Sequence, residues 1–73
     1  MTNRQAFNRI LQLQYKLDQT PPEESPQIFE DLDEAIEHFM ALTNFTRDRV
    51  EEAIFSEYPN FARSQNGDSE DAP

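Results

Sequence analysis

Apolar side chains recur at helical spacing in three separate segments of this chain. The first segment follows Thr2 and Gln5, which have the side-chain types and spacing of a capping box, where each side chain bonds the other residue's backbone amide. Pro21 ends the segment, because proline has no amide hydrogen to donate and moves its predecessor out of the α-helical region. The pattern predicts a helix over 3–18 with an apolar face of Ala6, Phe7, Ile10, Leu13 and Leu17.

The second segment has the clearest division into an apolar and a polar face. Ser25 followed by Pro26 is typical of a helix start, with the serine hydroxyl as the cap. The pattern predicts a helix over 26–43. Its apolar face consists of Ile28, Phe29, Leu32, Ala35, Ile36, Phe39, Met40 and Thr43, and its opposite face is acidic, with Glu30, Asp33, Glu34 and Glu37.

The third segment and the end of the chain differ in composition. Thr46 stands between Phe45 and Val50 at the spacing of a hydrophobic staple around a helix cap, and Pro59 breaks the stripe, which predicts a helix over 47–58. Residues 62–73 are small and polar, which is typical of a disordered acidic tail. The chain is therefore predicted to be all-α, with a three-helix domain over 1–61 and a disordered tail over 62–73.

The charge is unevenly distributed along the chain. The 73 residues carry a net charge of −9, which repels nucleic acid and anionic membrane at long range. Residues 1–17 hold three basic and no acidic side chains, whereas residues 18–37 hold eight acidic and no basic ones. With no cysteine in the sequence, disulfide scaffolds and thiol nucleophiles are excluded.

The sequence offers little that could perform chemistry. Asp31 and Asp33 are two residues apart, so on a helix they point in different directions, and we expect no metal site and no cofactor. His38 and the hydroxyl side chains lack the partner residues of a catalytic constellation, so we expect no enzyme. The longest uninterrupted apolar run, 39–42, is too short for a membrane span, and we expect a cytoplasmic protein.

Binding to another protein is the function that the charge pattern favours. The acidic residues of the second helix include like-charge pairs four residues apart, 30 with 34 and 33 with 37, which destabilise a helix unless something compensates them. The compensation comes from the helix dipole, from pairing with Arg9 and Lys16, or from a basic partner surface. If it is a partner, the predicted contact residues are Arg4, Arg9, Glu30, Asp33, Glu34 and Glu37.

The Met-Thr-Asn-Arg-Gln start, the small size, the three predicted helices and the acidic end resemble small bacteriophage-encoded proteins that bind the host RNA polymerase. The resemblance covers the overall design of the chain and includes no signature motif. It implies a regulator that inhibits or reprograms transcription, by shutting off σ-dependent initiation or by antitermination, through contacts to the large subunits of the polymerase. We also expect the protein to be a monomer. Two alternatives stay open: an acidic DNA mimic that inhibits a nucleic-acid enzyme, of the antirestriction or anti-CRISPR type, and a helical component of an oligomeric assembly.

Overall fold

The protein is a three-helix domain in the computed structural model, which describes the backbone of residues 2–71 and the side chains of residues 2–65. Helix α1 spans Asn3–Gln19, α2 spans Ser25–Thr43 and α3 spans Arg47–Asp71. The described backbone contains no β-strand, so the predicted all-α fold class is confirmed. None of the described helices combines the length and the apolar character that a membrane crossing needs.

Two of the predicted helix caps are confirmed. The backbone amide of Gln5 donates to Thr2 Oγ1 at 3.1 Å, and the Thr2 amide donates to Gln5 Oε1 at 3.1 Å, which completes the capping box. At the start of α3 the Arg49 amide donates to Thr46 Oγ1 at 3.3 Å. Each bond gives a partner to an amide that has none within the helix.

The cap predicted for α2 is wrong. Ser25 is the first residue of the helix, and Glu24 precedes it with an α-helical backbone and makes no side-chain cap. The physical reason is the turn after Pro21, in which the Glu24 amide donates to the Pro21 carbonyl at 3.0 Å and the Ser25 amide donates to the Pro22 carbonyl at 3.3 Å. Because that turn already has helical curvature, the Ser25 hydroxyl donates back to the Pro22 carbonyl at 3.0 Å.

The link between α2 and α3 depends on Asn44, which adopts a left-handed backbone conformation with φ of 66°. Asparagine tolerates this conformation better than most non-glycine residues and often ends a helix in this way. Its amide donates to the Met40 carbonyl at 2.7 Å, and the Thr43 hydroxyl donates to the Phe39 carbonyl at 2.8 Å. The Asn44 bond gives a partner to a carbonyl that would otherwise be free at the end of α2.

Helix α3 is longer than predicted, since it continues through Pro59 instead of ending at residue 58. The contacts on both sides of the proline explain why. Tyr58 donates a hydrogen bond to the Asp18 carboxylate, and Phe61 packs edge-on against Tyr15 with ring centroids 6.3 Å apart, so both halves are attached to α1. Residues 62–65 are therefore helical, so the disorder predicted for the tail is wrong for these four residues. The side chains of 66–71 and the whole of 72 and 73 lie outside the described residues, and disorder of 66–73 stays a prediction.

The core lies between α1 and α2, which pack against each other along much of their length, whereas α3 meets both at fewer points. Ile10 on α1 and Val50 on α3 are fully buried, each with 0% of its surface exposed. Three phenylalanine rings connect the elements: Phe7 and Phe39 have centroids 5.4 Å apart, and Phe39 and Phe45 have centroids 5.9 Å apart. The other buried core residues are Ala6, Leu11, Leu32, Ala35 and Ile36.

Candidate functional site

The four predicted contact residues on α2 form an acidic face that divides into two pairs. Glu30 and Glu34 are exposed, and neither makes an ion pair with any side chain in the described part of the chain. They are separated by one helical turn and repel each other weakly. These two carboxylates are therefore available to a positively charged partner.

The other pair, Asp33 and Glu37, is partly neutralised within the protein by Arg47. One Arg47 nitrogen, Nη2, lies 2.7 Å from Asp33 Oδ1, and Nη1 lies 3.7 Å from Glu37 Oε2. The third guanidinium nitrogen, Nε, lies 3.4 Å from Glu51 Oε2, one turn along α3. The hydrogen bond to Asp33 is the main cause that raises the pKa of Arg47 above its ordinary value. We call Arg47, Asp33, Glu37 and Glu51 the Arg47 cluster.

The basic side chains of α1 do not pair with this face. Arg9 is exposed and lines a shallow hollow with Asp31, Glu34 and His38, yet it makes no ion pair with a described side chain. Arg4 is exposed on the first turn of α1, at the edge of a separate hollow that Glu57 also lines. Within residues 2–65, Asp33 and Glu37 are therefore compensated by α3, and not by the α1 residues that the sequence suggested, whereas Glu30 and Glu34 have no ion-pair partner.

An apolar groove of about 670 Å³ runs between α2 and α3, next to the acidic face. Two large apolar side chains stand open to solvent along it: 59% of Phe29 and 83% of Phe55 is exposed. At one end the groove meets the Arg47 cluster. Its apolar walls are formed by Phe29, Leu32, Ile36, Ile54, Phe55, Tyr58 and Pro59, and its polar lining by Gln14, Asp33, Arg47 and Glu51.

Tyr58 forms the opposite end of the groove and ties α3 to α1. Its hydroxyl donates to Asp18 Oδ2. Burial, and then the bond to this carboxylate, raise the pKa of Tyr58 above its ordinary value, because both oppose formation of a phenolate. The groove is therefore held by polar contacts at both ends, the Arg47 cluster at one and the Tyr58 bond at the other.

The sequence does not mark two residues of this surface, Phe29 and Arg47, as functional. Phe29 belongs to the predicted apolar face of α2, but the packing of α1 and α3 leaves it exposed. Arg47 has no special position in the sequence. Its spacing of four residues from Glu51 is common for ion pairs on a helix, so the sequence indicates the pair with Glu51. The contacts of Arg47 with α2 depend on how the helices pack and are not visible in the sequence.

The fold and this surface define a small helical domain with an acidic face beside an apolar groove. Among the described residues, no group of three or more metal-binding side chains is close enough together to hold an ion. Comparison of the chain with protein families, with curated proteins and with solved structures gives no match.

Proposed function

We propose that this protein is a non-enzymatic regulator that acts by binding a basic surface of a nucleic-acid enzyme, with bacterial RNA polymerase as the target. The observation that carries the proposal is the position of Glu30 and Glu34, which have no ion-pair partner among the described side chains, on the same helix as the exposed Phe29. The surface thus offers negative charge and apolar area together. It needs no chemistry of its own, because occupying a surface is enough to inhibit or redirect transcription.

The apolar groove supports binding to a protein. Exposed apolar patches rimmed by charge are typical of interaction sites, and aromatic side chains are frequent among the residues that contribute most to binding. Phe55 leaves 83% of its surface exposed, whereas its neighbour Ile54 and other apolar side chains of the same helix are partly buried against the core. The complementary partner carries apolar side chains for the groove and arginine or lysine residues for the acidic face.

The charge of the protein supports a partner that handles nucleic acid. Such enzymes have basic surfaces, and an acidic protein is attracted to them at a rate and with an affinity that fall as salt rises. The choice of RNA polymerase comes from the resemblance to phage-encoded regulators, which also suggests initiation shut-off or antitermination as the effect. The basic residues Arg4 and Arg9 would contact a second, acidic patch of the same target.

Charge reversal at the acidic face tests the proposal. We expect Glu30→Lys with Glu34→Lys to abolish binding to purified bacterial RNA polymerase at low salt, measured by biolayer interferometry. The matched control is Glu23→Lys with Glu24→Lys, which changes the net charge equally on exposed residues outside the acidic face. The control should retain most of the binding, and both doubles should keep the helical circular dichroism. No binding by the unaltered protein, or equal loss in both doubles, would contradict the proposal.

The groove is tested separately. We expect Phe55→Ala to weaken binding at least about tenfold, the loss of ~1.4 kcal/mol or more that is typical of an aromatic anchor. The matched control is Leu42→Ala, because Leu42 is also exposed, at 42%, but does not line the groove. Equal effects of the two substitutions would show that the groove is not the contact surface.

A further inference from the structure

We propose that Arg47 is an internal competitor for the acidic face: it occupies Asp33 and Glu37 until a cation of the partner takes its place. This inference concerns the regulation of the surface described above and rests on that proposed function. Its structural basis is that one guanidinium group faces three carboxylates, at 2.7, 3.7 and 3.4 Å. Two of these carboxylates belong to α2 and are among the predicted contact residues.

The position of Arg47 in α3 indicates that the carboxylates hold it there. It is the first residue of the helix, where the partial positive charge of the helix end disfavours a cation. Arg49, two residues further along, contacts no carboxylate among the described residues and lies over the Phe45 ring at 4.7 Å instead. The two arginines therefore have the same charge and nearly the same location but different contacts.

The contacts of Arg47 are of a kind that can be exchanged. The side chains remain solvent-exposed, at 40% for Arg47, 48% for Asp33 and 65% for Glu37. Exposed ion pairs contribute only about 0 to 1 kcal/mol each. With three carboxylates facing one guanidinium, the cluster also keeps an excess of negative charge that attracts a further cation.

The location of the cluster makes the exchange relevant to binding. Asp33, Arg47 and Glu51 line one end of the apolar groove. A partner that fills the groove thus brings its basic residues next to Arg47, and the two compete for the same carboxylates. Arg47 lowers the affinity for an isolated cation and favours partners that fill the groove as well.

The test compares the two arginines with penta-arginine amide as the probe, at low salt. We expect Arg47→Gln to bind it about two- to fivefold more tightly than the unaltered protein, the contribution of one exposed ion pair. The carboxyl carbon signals of Asp33 and Glu37 should move during the titration in an NMR experiment. Arg49→Gln removes the same charge, and we expect a smaller gain.

Equal gains in affinity for Arg47→Gln and Arg49→Gln would overturn the inference, since they would reflect net charge alone. An unchanged or weaker affinity of Arg47→Gln would also overturn it. If Arg47→Gln lowers the helical signal, Arg47→Lys replaces it, because an ammonium keeps the charge but cannot bridge carboxylates in the planar way that a guanidinium does. We expect Arg47→Lys to bind the probe more tightly than the unaltered protein does. An affinity equal to or below that of the unaltered protein counts against the inference. The titration needs no polymerase, so its failure is distinguishable from failure of the proposed target.

Discussion

Replacing Val50 by alanine tests how α3 is held to the other two helices. Val50 is the α3 residue that is fully buried, with 0% of its surface exposed, among the described side chains. The substitution removes two methyl groups, each contributing about 0.8 kcal/mol when buried, and leaves a small cavity. We therefore expect the free energy of unfolding to fall by about 2 kcal/mol.

The measurement is urea unfolding followed by circular dichroism, with thermal unfolding in parallel. For a domain of this size, a loss of about 2 kcal/mol corresponds to a fall of roughly 8 to 16 °C in Tm. Phe55→Ala is the control on the same helix: 83% of the residue is already exposed, so removal of the ring should change stability by less than about 0.5 kcal/mol.

Two results would refute this reasoning. A loss below about 0.5 kcal/mol for Val50→Ala would mean that the side chain is not packed as described. A comparable loss for Phe55→Ala would mean that the groove is closed in solution and that the ring is buried there. Amide hydrogen exchange adds a local readout, because Val50→Ala should speed exchange in α3 more than in α1.

Two further predictions concern the α2–α3 link and the Tyr58 bond. At Asn44, which has φ of 66°, we expect Asn44→Ala to cost about 1 kcal/mol and Asn44→Gly to cost little or nothing in urea unfolding, because glycine adopts this conformation without strain; equal costs would contradict the left-handed assignment. The pKa of Tyr58 is raised in the folded protein, so its contribution to stability is fully present below its ordinary value of about 10 and is lost as the pH rises above it. Unfolding measured between pH 8 and 11 should therefore show a steeper alkaline loss than in Tyr58→Phe, and equal slopes would contradict the described environment.

The features predictable from the sequence are those decided within one turn of helix. The Thr2 and Gln5 capping box and the Thr46 cap depend on residues three positions apart, so their side-chain types suffice to predict them. The apolar stripes likewise predict the three helices and most of the core. Proline alone does not decide a helix end, however, and at Pro59 the contacts of Tyr58 and Phe61 with α1 outweigh the local preference.

The candidate surface was only partly predictable, because it depends on how the helices pack. The acidic residues of α2 are visible in the sequence as one face of a helix. The sequence does not show that Arg47 pairs with Asp33 and Glu37 while Glu30 and Glu34 have no ion-pair partner within residues 2–65, since Arg47 reaches Asp33 from another helix. The exposure of Phe29 also depends on packing, because the helical spacing alone places this residue on the apolar face of α2.

The row of phenylalanine rings has a practical consequence for experiments on this protein. Phe7, Phe39 and Phe45 belong to α1, α2 and the link before α3, and each ring lies within 6 Å of the next, centroid to centroid. The magnetic shielding that one ring exerts on its neighbour therefore depends on the docking of all three elements. A fluorine label on Phe39, the central ring, would report in a single resonance whether the helices stay assembled when a partner binds.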